Sequence, residues 1–172
     1  MAIKRIVGLA GFGDSGKSSV LRGFCKRLIG ISGCKVLEIR HGRRIVHSKT
    51  IDELIKEKID FSVVIQVSGI TIVIVMAGDK PSAASMVMEV YGQFNLDIDI
   101  LIVAMRKTEA EGDDVSVAYK KVAMENNIKI KSIFKPGFKR TGKILSEEFQ
   151  WAESIWIDML MKETGIMAQN CA

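Results

Sequence analysis

Eight residues near the start of the chain bring glycines, a lysine and hydroxyls together at a spacing that can hold phosphate. Gly11-Phe12-Gly13-Asp14-Ser15-Gly16-Lys17-Ser18 fits the pattern G-x-x-x-x-G-K-[ST]. Gly11, Gly13 and Gly16 permit positive backbone angles that turn successive N–H groups inward, and without a Cβ they let the main chain approach phosphate oxygens closely. Lys17 adds a point charge within reach of β and γ phosphates, and the Ser18 hydroxyl can ligate Mg²⁺. A helix starting here adds the positive end of its dipole. Anion contacts are expected from Gly11, Phe12, Gly13, Asp14, Ser15, Gly16, Lys17, Ser18 and Ser19.

The flanking segments are those that such a loop requires. Ile6-Val7-Gly8-Leu9-Ala10 reads as a buried strand running into it, and Ser19 to Ile29 reads as a helix leaving it, with Val20, Leu21, Phe24 and Leu28 on one face. Cys25 reads as core filling rather than as a nucleophile. On the residues Gly11 to Ser18 in this strand–loop–helix setting, the chain resembles the P-loop NTPase superfamily. That resemblance implies binding of nucleotide phosphate and is silent about what is done with it.

Further along, Lys35 to Arg40 reads as a second strand ending in a basic cluster, Arg40-His41-Gly42-Arg43-Arg44. The cluster is either a solvated loop or a grip on a second phosphate or acidic substrate through Arg40, Arg43 or Arg44. Thr50-Ile51-Asp52-Glu53 is a capping box that opens a short helix. Phe61 to Val67 and Ile70 to Ala77 are β-branched runs joined only by Ser68-Gly69, a link that a hairpin can make and a crossover cannot. A parallel sheet with one such hairpin resembles the arrangement of GTPases, in which the second hairpin strand delivers an acid to the nucleotide. Here Asp79 follows that strand. It is expected either to assist Mg²⁺ or the attacking water, or simply to begin the turn before Lys80-Pro81. Ser82 stands where the Asp-x-x-Gly glycine would be.

Pro81 to Phe94 reads as a helix with Ala84, Val87, Met88 and Tyr91 on one face, and Ile98 to Met105 as a buried parallel strand. After it comes Arg106-Lys107-Thr108-Glu109, without the Asn-Lys-x-Asp motif that reads guanine in GTPases, so ATP is favoured over GTP. Arg106 and Thr108 are candidates to flank base or ribose or to sense the γ phosphate, or else form a solvated strand end. Asp113 and Asp114 read as helix capping, with a metal pair as the lesser alternative, before a helix through Met124 whose face is Val115, Ala118 and Val122. Ile128 to Phe134 reads as the last strand. Lys135 to Lys143 is a second basic, glycine-bearing loop, suited to a lid or base contact or to plain surface. From Ser146 a long helix follows, with Phe149, Ala152, Trp156, Met159 and Leu160 facing the core and Trp151 off that stripe as a candidate partner surface.

Composition sets the frame. With 172 residues and 48% hydrophobic side chains, the chain is expected to form one domain over 1–172. A net charge of +5 suits a phosphorylated ligand or an acidic partner. No aromatic RNA-binding motif, metal-finger spacing or long basic run argues for nucleic acid. Three cysteines without ligand spacing favour a reducing, cytoplasmic setting. Asp14 and Lys17 interrupt any signal-like segment, and Ile70 to Ala77 is too short to span a bilayer.

The expected fold is therefore a three-layer α/β P-loop NTPase fold, its central sheet mostly parallel with one antiparallel hairpin and helices on both faces. The expected function is a small Mg²⁺-dependent protein that binds a nucleoside triphosphate and hydrolyses the β–γ bond, with Lys17 and Asp79 catalytic and Ser18 and Asp79 at the metal. Two alternatives stand beside it. One is a kinase passing the γ phosphate to a nucleotide or other phosphorylated small molecule, and the other is a nucleotide-binding regulatory module that docks a protein partner.

Overall fold

In the computed structural model, residues 3–12, 15–109, 112, 114–134 and 146–166 are described, with the backbone alone for 146–152. The strands are β1 (Arg5–Gly11), β2 (Lys35–His41), β3 (Arg44–Ile45), β4 (Ser62–Val67), β5 (Ile70–Val75), β6 (Ile100–Arg106) and β7 (Lys129–Phe134). The helices are α1 (Lys17–Ile29), α2 (Ile51–Lys56), α3 (Ser82–Tyr91), α4 (Val115–Glu125) and α5 (Ser146–Thr164). Among the described residues the strands form one mixed sheet in the order β3-β2-β4-β5-β6-β1-β7.

The sheet is half parallel, not mostly so. The pairs β5–β6, β6–β1 and β1–β7 are parallel, while β3–β2, β2–β4 and β4–β5 are antiparallel. The hairpin at Ser68-Gly69 accounts for only one of the antiparallel pairs. The second is β2–β4, whose connection over residues 42–61 carries β3 and α2 and brings the chain back to the edge where β2 stops, Ser62 pairing with Arg40. The third is the turn at Gly42, with φ 61°, which folds β3 onto the end of β2.

Local chemistry sets the helix starts. Thr50 caps α2 as expected, its hydroxyl accepting from the Glu53 N–H while the Glu53 carboxylate accepts from the Thr50 N–H. Asp114 caps α4, accepting from the N–H groups of Ser116 and Val117. Asp113 lies outside the described residues.

Two apolar clusters occupy opposite faces of the sheet. One joins Val7 and Leu9 to α1, α2 and the end of α5, and the other joins Ile6 and Ala10 to α3 and α4. Helices therefore cover both faces, and β1 is buried on each. Cys25 lies in the first cluster, where burial pushes its thiol up to about 12, so it fills space and is no nucleophile. The core stripes shift slightly from expectation. In α4 the fully buried residues are Val115, Ser116, Tyr119 and Ala123, with Ala118 and Val122 at the margin. In α5, Leu160 and Met161 are buried and Met159 is exposed. The side chains of Phe149, Trp151 and Ala152 lie outside the described residues. No helix among the described residues is long and apolar enough to cross a membrane.

Lys4 and Arg5 fasten the amino-terminal edge of the sheet. Arg5 donates to the Glu163 carbonyl near the end of α5. Lys4 donates to Asp99 at 2.6 Å, and the other Asp99 oxygen accepts from the Thr71 N–H at 2.8 Å. Partial burial disfavours the charged Asp99 carboxylate, yet the Lys4 ammonium and the Thr71 N–H outweigh it and hold the carboxyl below its ordinary 3.8. A depressed folded-state value stabilises the fold above the unfolded-state value and is lost as pH falls through the folded one. Asp99→Asn should therefore cost about 1 kcal/mol at neutral pH and flatten the acid limb of stability below about pH 4, as checked by urea titrations at pH 7 and pH 3.

Candidate functional site

The glycine loop joins the carboxyl end of β1 to α1, in the middle of the parallel half of the sheet. Gly16 adopts the left-handed conformation, with φ 79° and ψ 20°, and serves as the helix N-cap. A side chain with a Cβ is strained there, which accounts for glycine at this position. Gly16 brings no side-chain acceptor and the first turn of α1 contains no acidic residue.

Lys17 is only 8% exposed, and its ammonium is turned onto the loop that precedes it. It donates to the carbonyls of Gly11 at 3.0 Å and Phe12 at 2.7 Å and to the Ser15 hydroxyl at 3.1 Å. Burying an ammonium is costly unless its donors are satisfied, and three acceptors from one short loop satisfy them. Ser15 is itself buried, while Ser18 and Ser19 are half-buried in the first turn. Gly13 and Asp14 lie outside the described residues.

Two backbone hydrogen bonds continue the sheet past the strand ends. The Lys107 N–H donates to the Gly11 carbonyl at 2.9 Å, and the Arg106 N–H donates to the Gly78 carbonyl at 3.1 Å. They place Gly11, Arg106-Lys107 and Gly78-Asp79 side by side on one edge. Thr108 is held as well, because it hydrogen-bonds the Asp114 carboxylate. Burial works against that charge, but bonds from Ser116, Val117 and Thr108 hold the carboxyl below its ordinary value. Asp114 thus pins the segment after β6 in addition to capping α4. Arg106 is exposed and Thr108 half-buried at this edge.

Asp79 does not adjoin the loop. β6 separates β5 from β1, so two inter-strand spacings, about 10 Å, lie between the two strand ends. Asp79 is exposed, and it lines a cavity of about 450 Å³ with Arg43, Lys80, Ser82 and Met86. Arg43 approaches from the β2–β3 turn and donates to Glu89 of α3. Arg40 is engaged by both carboxylate oxygens of Glu38 and also donates to the Arg43 carbonyl at 3.0 Å. The basic cluster is therefore largely paired with carboxylates of the chain, and only Arg43 meets the cavity beside Asp79. Lys135 to Lys143 lie outside the described residues.

One residue of this edge, Phe134, carries no motif signal. Phe134 ends β7 and packs edge-on with Phe12, ring centroids 6.1 Å apart, while the Lys107 ammonium stands 5.7 Å from the Phe134 centroid. Only the pairing of Ala10 with Phe134 across β1 and β7 brings them together. Among the described residues no group of three or more His, Cys, Asp or Glu could hold a metal ion. Comparison with family models, with curated proteins and with solved structures finds no match to this chain.

Gly78 explains how β5 and β6 stay in step at this edge. A Cβ there would collide with the backbone carbonyl of Ala104, which cannot move without breaking the sheet. At Gly8 a Cβ would meet only the flexible end of the Met105 side chain. Gly78→Ala should cost about 1–3 kcal/mol, roughly 3–10 °C in Tm, and Gly8→Ala distinctly less; thermal melts of the two variants check the order.

Proposed function

We propose that this chain is a small P-loop nucleotide-binding protein that takes a nucleoside triphosphate with Mg²⁺, with hydrolysis of the β–γ bond as its leading activity. The observation that carries the reading is the Lys17 ammonium held by Gly11, Phe12 and Ser15 at the start of α1. A loop that converges carbonyls on a buried ammonium at a helix N-terminus keeps a cation where phosphate oxygens would replace those acceptors. The order strand, loop, helix and the left-handed Gly16 support the same reading.

The roles follow from position. Lys17 would neutralise charge on the γ phosphate as the bridging bond breaks, and Arg106 stands close enough along the edge to add a second positive charge. Mg²⁺ suits the hard oxygen donors on offer, the Ser18 hydroxyl and the Asp79 carboxylate, and such an ion completes its shell with phosphate oxygens and water. With β6 between them, Asp79 would act on the metal or the attacking water through water rather than directly. Held near Ser18, and by Asp79 through water, Mg²⁺ would supply positive charge that eases breaking of the β–γ bond. ATP is the favoured nucleotide, since no Asn-Lys-x-Asp motif follows β6.

A second reading, transfer of the γ phosphate to a phosphorylated small molecule, is favoured by one observation. Arg43 and Lys80 line the cavity beside Asp79, a combination that would seat an anionic acceptor next to a carboxylate able to accept its proton.

With MgATP at 100 times its Kd, the native chain should gain about 2.7 kcal/mol of apparent stability, and Lys17→Ala should abolish that gain in a thermal-shift assay. An undiminished shift in the variant would overturn the phosphate-loop reading. Asp79→Asn should lower steady-state phosphate release about tenfold or more with the melting temperature unchanged, because the residue is exposed. Release that appears only when nucleoside monophosphates are added would select the transferase reading.

A further inference from the structure

Phe12 and Phe134 are the only exposed aromatic side chains among the described residues, 50% and 48% exposed, and they touch each other. Leaving one ring in water forgoes about 1.5–3 kcal/mol of burial, so two rings exposed at the same point call for a local reason. Their location offers one. Phe12 belongs to the glycine loop, and its carbonyl accepts from Lys17 at 2.7 Å. Phe134 stands one strand away, at the end of β7, and the Lys107 ammonium lies over its ring. A half-exposed aromatic surface flanked by two ammonium groups matches a ligand with a flat π-system at one end and phosphates at the other.

We infer that Phe12 and Phe134, set at 89° to each other, form an aromatic platform for the nucleobase of the triphosphate held by the glycine loop, one ring stacking on the base and the other meeting its edge. The inference rests on the phosphate-loop reading above and adds to it the residues that recognise the base. Both rings are fixed by the backbone that fixes the loop, Phe12 by sequence and Phe134 by the parallel register of Ala10 with Phe134. The platform is therefore in place before the ligand arrives, which lowers the ordering cost of binding. Stacking reads the π-face of a base rather than its hydrogen-bonding edge, so this platform supplies affinity for a base where the chain lacks a guanine-reading motif.

The test compares MgATP with Mg²⁺–ribose 5-triphosphate, the same ligand without its base, by calorimetry on the full chain. The wild-type protein should bind ATP roughly 5- to 150-fold more tightly. Phe134→Ala should remove much of that preference while leaving ribose 5-triphosphate affinity within twofold, Phe12→Ala should lower the preference as well, and Phe134→Tyr should retain it. Equal affinity of the wild type for the two ligands would overturn the platform, as would ring variants that weaken both ligands alike, since the rings would then serve only to shape the loop. Lys17→Ala separates the two levels of inference. If it leaves ribose 5-triphosphate binding intact, the phosphate-loop reading fails, whatever the ring variants do.

Discussion

A buried ammonium constrains everything around it. Lys17 has almost no contact with water, and its three donors go to two carbonyls and a hydroxyl within six residues of it. Those acceptors exist only if β1 delivers the Gly11 carbonyl at the end of the sheet, if the loop folds back over the side chain, and if Gly16 takes a left-handed turn into α1. The Gly11 carbonyl has a second duty. Its other lone pair accepts from the Lys107 N–H, so the atom that holds the lysine also ties the loop to the end of β6. Through Arg106 and the Gly78 carbonyl the same edge continues to β5. A change in the seating of Lys17 is thereby a change in a backbone network three strands wide.

The two halves of the sheet divide the work. In the parallel half, β5, β6 and β1 are buried on both faces and β7 is the largely exposed edge strand, with the glycine loop at the end of β1. The antiparallel half carries the basic turn after β2, and there the positive charge is mostly answered by Glu38 and Glu89. A net charge of +5 thus says less about this turn than the raw count implies, because paired charges at the surface contribute little field beyond their own neighbourhood. The cavity between the halves is where the arginine from one side and the aspartate from the other come within range of a common ligand.

Much of the local chemistry is legible in the chain. The hydroxyl and carboxylate of the Thr50–Glu53 box, the Asp114 cap and the Ser68-Gly69 hairpin link all act within a few residues, and each does in the structure what its spacing requires. The core stripe of α1 is equally plain, since Val20, Leu21, Phe24 and Leu28 are all buried. Less was legible where a face is wide or a partner distant. Tyr119 rather than Val122 sits at the centre of the α4 stripe because α3 packs against that side, and periodicity alone does not say where a neighbouring helix lies. The roles of Lys4 and Arg5 have no local signature, because their partners, Asp99 and Glu163, are 95 and 158 residues away.

The sequence by itself determined the pieces: a glycine loop with its lysine and hydroxyls, the strand and helix on either side of it, the caps, and a hairpin that has to be antiparallel. These depend on steric and hydrogen-bonding rules that act over a few residues. Only the tertiary structure decided that β6 lies between β1 and β5, which removes Asp79 from direct contact with the loop, that half of the strand pairs run antiparallel, and that Phe134 stands beside Phe12. Strand order and register are set by which buried faces and backbone groups satisfy one another across the whole sheet, and that matching has no local signature.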